Sequence, residues 1–155
     1  MAQQVRDKRQ VWMATLAQAD LAQLETQYRQ VLDRRLKTPP SYQTLRPPEV
    51  GLTMVRGRTG GTGETFNLGE ITLTRCVLQL MDRPLTGFGY VAGRSKRHAE
   101  LAALCDALLQ HPDWHDSIQA QVVEPLQAIA AARHQEQSAE VEATRVNFFT
   151  MLRGE

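Results

Sequence analysis

The segment EITLTRCVLQLMD, residues 70–82, decides the fold class because it is the longest strand-like run in the chain. Its apolar residues change sides partway along: Ile71 and Leu73 share one face of an extended chain, and Cys76, Leu78 and Leu80 share the other. Two explanations are open. Either a bulge near Arg75 restores a single core face, or the strand is covered on both faces at different places along its length. Both explanations place this segment inside a sheet.

The residues on either side of this segment supply its neighbouring strands. Residues 50–58 alternate, and Arg56 and Arg58 stand at the end of the apolar face that begins at Val50. Flanking prolines confine residues 42–46 to an edge or irregular strand. Further strand-like runs occupy residues 64–68, before a turn at Gly69, and residues 88–93. These patterns predict an antiparallel sheet of about four strands within residues 42–93.

Helical patterns flank the predicted sheet. Residues 3–36 carry an apolar stripe, and Asp20 with Gln23 resembles a capping box, which predicts two helices that meet near Asp20. Ser95 has the chemistry of an N-cap for a helix over residues 95–110, which the following His-Pro pair ends. A short helix over 114–124 and a longer one over 126–145, opened by Pro125, complete the chain. This order of helix, strands and helices is typical of the α+β class.

Length and composition bound the architecture and exclude several function classes. With 155 residues, 42% of them apolar, the chain suits one core that buries roughly 70% of the unfolded surface. We expect a single domain over residues 1–155, made of a helical N-terminal arm (1–36), a sheet (42–93), helices (95–146) and a docking tail (147–155). The formal charge of +1 gives no global attraction to nucleic acid or to an anionic membrane.

The expected compartment is the cytoplasm. The opening residues 1–9 are polar, and no run approaches the ~20 apolar residues of a membrane span. The two cysteines, Cys76 and Cys105, are far apart in segments that look buried, which favours reduced thiols over a secreted disulfide framework.

A glycine-rich segment, GRTGGTGE at residues 57–64, is the first candidate for chemistry. Backbone N–H groups freed by Gly60, Gly61 and Gly63 could surround an anion, with Arg56 and Arg58 beside them. The segment is not a Walker motif, because the lysine and hydroxyl residue are absent at the required spacing. A glycine-rich hairpin or subunit contact loop is the favoured alternative.

A cationic segment where a strand passes into a helix is the second candidate. Arg94, Lys96, Arg97 and His98 cluster at the predicted helix N-terminus, where the helix dipole disfavours positive charge. A bound phosphate or a partner's carboxylates would compensate these charges, and screening by solvent is the alternative.

Other kinds of site find little support. Pro112 interrupts the helical face that would bring His111 and His115 together, so we expect no metal site. No Ser/His/Asp or Cys/His pairing can be established from spacing, and the catalytic residues therefore stay unknown.

The C-terminal segment is unusually apolar for a chain end. We expect it to dock, either back onto its own domain or into another subunit, through the following interface candidates. They are Phe148, Phe149, Met151, Leu152 and Arg153.

An ordered set of short motifs runs through nearly the whole chain. The motifs are LRPPE (45–49), VRGR (55–58) with GGTG (60–63), FNLGE (66–70) with TLTR (72–75), YV (90–91) with GR (93–94), HAE (98–100) with DAL (106–108), and FFTM (148–151) with RG (153–154). Together they are similar to the G subunits of bacterial carbon–phosphorus lyase.

The resemblance implies a cytoplasmic subunit of a core complex with the H, I, J and K subunits, working functionally with the L subunit. It implies a supporting, non-catalytic role in ATP-dependent formation of alpha-D-ribose 1-methylphosphonate 5-triphosphate from phosphonate, with release of adenine. ATP would then be a co-substrate of the complex, and this chain alone would bind no cofactor. The resemblance carries over no catalytic residue. The alternative function is an independent small phosphate- or nucleotide-binding protein.

Overall fold

The computed structural model describes residues 2–35 and 38–143. Its elements in chain order are α1 (Ala2–Gln18), α2 (Leu21–Arg35), β1 (Tyr42–Arg58), β2 (Thr65–Leu80), β3 (Thr86–Ala92), α3 (Lys96–Gln110), α4 (His115–Ile118) and α5 (Glu124–Ala143), with a 3-10 turn at Thr59–Gly61 and a π-helical turn at Gln119–Val123. The α+β class and the flanking helices are therefore confirmed.

The predicted junction at Asp20 separates α1 from α2. Asp20 Oδ1 accepts hydrogen bonds from the backbone N–H groups of Ala22, at 3.0 Å, and Gln23, at 3.4 Å. These N–H groups belong to the first turn of α2 and have no partner within the helix, so the carboxylate caps it.

The sheet of the described chain has three antiparallel strands in the order β1-β2-β3, which corrects the prediction of about four. The sequence predicted two strand ends, at the Pro47-Pro48 pair and at Gly69, that the structure does not contain. β1 continues through Pro47 and Pro48 because the register shifts between Arg46 and Glu49, which takes the two prolines out of regular pairing. β2 runs through Gly69 without turning.

Neither explanation for the change of sides in β2 holds. The buried residues of β2 all lie on one face: Thr74, Cys76, Leu78 and Leu80. Arg75 has no bulge of its own, since the irregularity lies opposite it in β1. Ile71, on the other face, remains 44% exposed.

Helix α3 is the central element of the core. It lies directly on β3, because a Cβ placed at Gly87 or Gly89 would collide with the backbone carbonyl oxygen of Ala103 or Ala99. Eleven of its residues are buried between the sheet and the other helices. Ser95 caps its N-terminus as predicted, by accepting a hydrogen bond from the N–H of His98 at 3.2 Å.

The two cysteines are buried, free thiols, as expected. Burial raises the pKa of Cys76 to about 11 and that of Cys105 to about 12. None of the described helices has the length and apolarity needed to cross a bilayer.

Candidate functional site

The hairpin of β1 and β2 continues well past the end of β3. In chain order, Leu73 is the first residue of β2 that pairs with β3. Pairing of β2 with β1 begins eight residues earlier, where Thr65 lies opposite Arg58. We call this two-stranded continuation, residues 52–72, the β-arm. At the rise of about 3.3 Å per residue, it extends roughly 20 Å beyond the three-stranded part of the sheet.

The glycine-rich segment forms the tip of the β-arm. Gly60 and Gly61 have φ angles of 60° and 80°, which other residues rarely adopt. The N–H of Gly63 donates to the Thr59 carbonyl at 2.8 Å, and a Cβ at Gly63 would lie 2.7 Å from that oxygen. The turn alone accounts for all three glycines.

The two arginines of the first candidate, Arg56 and Arg58, lie at the end of β1, directly before the tip. Arg56 donates to the hydroxyl of Thr65 across the hairpin at 3.1 Å, and both arginines are exposed. The side chain of Arg56 therefore braces the tip of the β-arm.

The second candidate is divided between core and surface. His98 is only 6% exposed, and its Nε2 lies 2.8 Å from the carbonyl oxygen of Leu16, which ties α3 to α1. Arg97 pairs with Glu25 at 3.1 Å and with Glu100 at 3.4 Å, and the hydrogen bond to Glu25 raises its pKa.

Arg94 and Lys96 are the exposed cations of this second candidate that no carboxylate of residues 6–34 or 38–142 approaches within 4 Å. They stand beside the base of the β-arm, because the N–H of Gly93 donates to the Thr72 carbonyl at 2.8 Å. The start of β2 at Thr65, next to the glycine tip, lies seven residues before Thr72, roughly 20 Å away along the strand. The structure does not bring the two candidate groups together.

The most prominent exposed feature of the β-arm is apolar, and it was missed from the sequence. On the face that α3 covers elsewhere, Leu52 is 67% and Met54 50% exposed, and Val50 at the base is 43% exposed. On the opposite face, Phe66 is 45%, Leu68 66% and Ile71 44% exposed. The face assignment follows from strand pairing and from the 4.0 Å approach of Phe66 and Leu68 to a Cβ at Gly57. Apolar side chains thus cover both faces.

The main buried polar cluster serves the fold. Asp106, with an exposure of 0%, accepts hydrogen bonds from Arg9 at 2.7 and 3.2 Å, from the indole of Trp12 at 2.9 Å and from the N–H of Phe88 at 3.0 Å. It joins α1, β3 and α3. Its only sequence signal is a carboxylate on the apolar side of a helix.

A second buried polar residue, His111, joins the end of α3 to the turn after β2. Its Nδ1 accepts from the N–H of Asp113 at 3.1 Å, so its Nε2 donates to Asp82 at 2.9 Å. Partial burial works to raise the pKa of Asp82, but the hydrogen bond from His111, together with hydrogen bonds from the backbone N–H groups of Arg83 and Asp82, lowers it overall.

A shallow groove of about 350 Å³ runs between α1 and α5. Its walls are largely apolar and include Val11, Ala14, Leu126 and Ile129. None of the candidate residues within the described part of the chain lines it.

Two further predictions concern the C-terminal interface candidates and metal binding. The interface candidates Phe148, Phe149, Met151, Leu152 and Arg153 lie outside the described residues. Within residues 2–35 and 38–143, no group of three or more His, Cys, Asp or Glu side chains is arranged to hold a metal ion.

Comparison with known proteins agrees with the motif pattern. The family described as "Phosphonate metabolism protein PhnG" matches residues 7–154. A relative from Rhizobium meliloti (strain 1021), the "Alpha-D-ribose 1-methylphosphonate 5-triphosphate synthase subunit PhnG", is 39% identical over 148 residues, which cover 96% of this chain and 90% of the relative. The resemblance seen in the sequence is confirmed, and the chain belongs to the PhnG family of phosphonate metabolism proteins.

Proposed function

We propose that this chain is a supporting subunit of a multi-subunit alpha-D-ribose 1-methylphosphonate 5-triphosphate synthase and supplies no catalytic group to it. The name of the Rhizobium relative supports the synthase assignment. The division of labour is inferred from what the polar and apolar side chains of the described structure contact.

The exposed apolar β-arm carries this proposal. Six large apolar side chains on and beside it are 43–67% exposed. They present on the order of 500 Å² of apolar surface, divided between the two faces of the hairpin, and exposed apolar patches of a few hundred Å² often mark interaction sites. Covering that surface with another subunit would contribute hydrophobic free energy at about 25 cal/mol per Å², before the cost of association.

The polar side chains support the non-catalytic part of the proposal. Arg97 and His98 are held by groups of the same chain, and Asp106 is saturated by four hydrogen bonds. The glycines of the tip are explained by the turn. These groups stabilise the scaffold, and the reacting groups would come from other subunits.

The assembly that fits this role contains the H, I, J and K subunits, with the L subunit acting alongside them. ATP is then a co-substrate of the assembled synthase, from which phosphonate displaces adenine, and it is not a ligand of this chain alone. A cytoplasmic location is supported by the two buried thiols, which remain reduced in that compartment.

The geometry favours this role over independent phosphate or nucleotide binding. The two cationic segments are roughly 20 Å apart along β2, and the second has only Arg94 and Lys96 exposed without a carboxylate partner in the described chain.

Co-expression with the H, I and L subunits tests the proposal. With the tag on another subunit, this chain should co-purify in a fixed ratio through size exclusion, and adenine release from ATP and phosphonate should require it. Full adenine release without the chain would disprove the supporting role.

Two surface variants test whether the chain is non-catalytic. Arg94→Ala and Lys96→Ala should each change adenine release by less than about threefold, because surface charges removed from a reacting centre have small effects. A hundredfold loss with an intact assembly would contradict the proposal.

A further inference from the structure

We propose that the β-arm inserts into an apolar-walled cleft of another subunit of the synthase, so that both of its faces become buried. This inference rests on the proposed function and specifies how the chain is held. Three features of the β-arm carry it: apolar side chains on both faces, glycines with open space beside them, and the distribution of charge.

The apolar faces determine the kind of contact. Leu52 and Met54 point to the side of α3, and Phe66, Leu68 and Ile71 point to the other side. A flat surface could cover one of these faces and would leave the other in water. A cleft covers both.

The glycines indicate a close approach by a neighbouring backbone. Gly51, at the base, and Gly69 do not have positive φ angles, and no atom of the described chain lies within 4 Å of a Cβ built at either position. Glycine weakens a strand interior and often marks a bulge or the close approach of another chain. Gly69 flanks the register shift between Val55 and Arg56, which is a local reason for glycine, whereas Gly51 lies in regular pairing and has no such reason.

Gly51 pairs with Leu73, and Gly69 pairs with Val55. All four residues lie on the same face of the β-arm as Ile71. That face therefore offers a flat floor between apolar side chains.

The charges fit insertion of the middle of the β-arm. Arg56, Arg58, Glu64 and Glu70 are its four charged residues, and their formal charges cancel. The first three lie next to the tip. A cleft that buries the middle would leave these three charges near solvent. Glu70 lies in the middle, opposite Met54, so the cleft would have to supply a cationic partner for it to avoid the large cost of desolvating an unpaired ion.

The occupant of the β-arm surface is another protein and not a second copy of this chain. In a two-fold dimer the same patch of each copy meets its counterpart. Such a contact would bury one face of each β-arm and leave the opposite apolar face exposed. The exposed apolar area of on the order of 500 Å² matches the apolar share of a standard interface of about 800 Å² per partner, so the cleft would contact polar and backbone atoms of the β-arm as well.

The β-arm by itself has little to hold it in place. No third strand of the described chain pairs with it, and a two-stranded ribbon in water is marginally stable. Enclosure in a cleft would supply the missing neighbours, and its amide hydrogens should then exchange more slowly.

The test uses the full chain assembled with its partner subunits. Leu52→Glu places a charge on one face and Leu68→Glu on the other, and Met81→Glu is the matched control, since Met81 is 60% exposed at the opposite end of β2. Each β-arm variant should bind the remaining subunits at least tenfold more weakly, while the control should match the wild type within twofold. Circular dichroism and thermal unfolding of each free variant show whether it is folded.

A glycine variant separates assembly from folding. Gly69→Ala should leave the unfolding temperature of the free chain unchanged or slightly higher, because the added Cβ meets open space and restricts the unfolded chain. It should nevertheless weaken assembly at least threefold, because the Cβ would meet the wall of the cleft. Hydrogen exchange should show protection of both strands of residues 52–72 on assembly.

The outcomes distinguish the inference from the proposed function. If the wild-type chain does not join the other subunits, the proposed function fails and the inference fails with it. If the wild type joins but the three β-arm variants join equally well, the inference alone is overturned. An effect confined to one face would overturn insertion in favour of a flat contact. A free-chain dimer that Leu52→Glu or Leu68→Glu dissociates would overturn the choice of another protein in favour of a second copy.

Discussion

Replacing Asp106 with alanine tests the polar cluster that joins α1, β3 and α3. The substitution removes the acceptor for Arg9, for the indole of Trp12 and for the N–H of Phe88. The side chain of Asp106 is completely buried, whereas that of Arg9 is 30% exposed. Water can therefore reach the arginine after the change, but the indole is left in a buried environment.

The expected loss of stability follows from these contacts. Removing one partner of a buried ion pair costs about 3–5 kcal/mol, and each buried donor left without an acceptor costs about 1–3 kcal/mol. These terms overlap because the arginine is partly solvated, so we expect Asp106→Ala to lower the free energy of unfolding by ~4 kcal/mol. For a chain of this size, the unfolding temperature would fall by roughly 8–16 °C.

Urea unfolding followed by circular dichroism measures the effect, with Arg9→Ala as the comparison. Arg9→Ala should also cost about 3–5 kcal/mol, because it leaves the completely buried carboxylate of Asp106 without a cationic partner. The reasoning would be refuted by a loss below about 1 kcal/mol for either variant.

Three other predictions concern packing, thiols and nucleotide binding. Gly89→Ala should destabilise the fold by at least about 3 kcal/mol in the same urea assay, because the Cβ collides with the carbonyl of Ala99, and a near-neutral result would contradict the close contact of α3 with β3. Cys76 and Cys105, with pKa values raised to about 11 and about 12 by burial, should resist a thiol reagent at pH 8 until the chain unfolds. Because the unfolded thiols ionise near pH 9.0, the free energy of unfolding should decrease above that pH, and rapid native labelling would argue against their burial. Millimolar ATP should leave the unfolding temperature of the free chain unchanged, and a clear rise would revive independent nucleotide binding.

Local chemistry could be predicted from the sequence wherever neighbouring residues decide the structure. Ser95 and Asp20 cap their helices because a hydroxyl or carboxylate reaches N–H groups only two or three residues away. The predicted end of α3 at the His-Pro pair is likewise local, and α3 stops at Gln110.

Features that depend on distant parts of the chain were not predictable in the same way. The predicted strand count was wrong because an edge strand tolerates prolines such as Pro47 and Pro48. The position of β1 at the edge of the sheet cannot be seen in the local sequence. The exposure of Leu52 and Met54 depends on β3 ending before the β-arm does, and an alternating pattern reads the same whether or not a helix covers it. Asp106 meets Trp12 across 94 positions of sequence.

The strand order also bears on the amount of this protein that a cell can carry. β1 is an edge strand along its entire length, and the β-arm leaves the outer edge of β2 without a neighbouring strand of the described chain. Unpaired backbone groups next to apolar side chains are a template for non-specific strand pairing, and thus for aggregation. Copies made in excess over their partners would be removed by proteases or would precipitate, so synthesis matched to the other subunits would keep the population soluble.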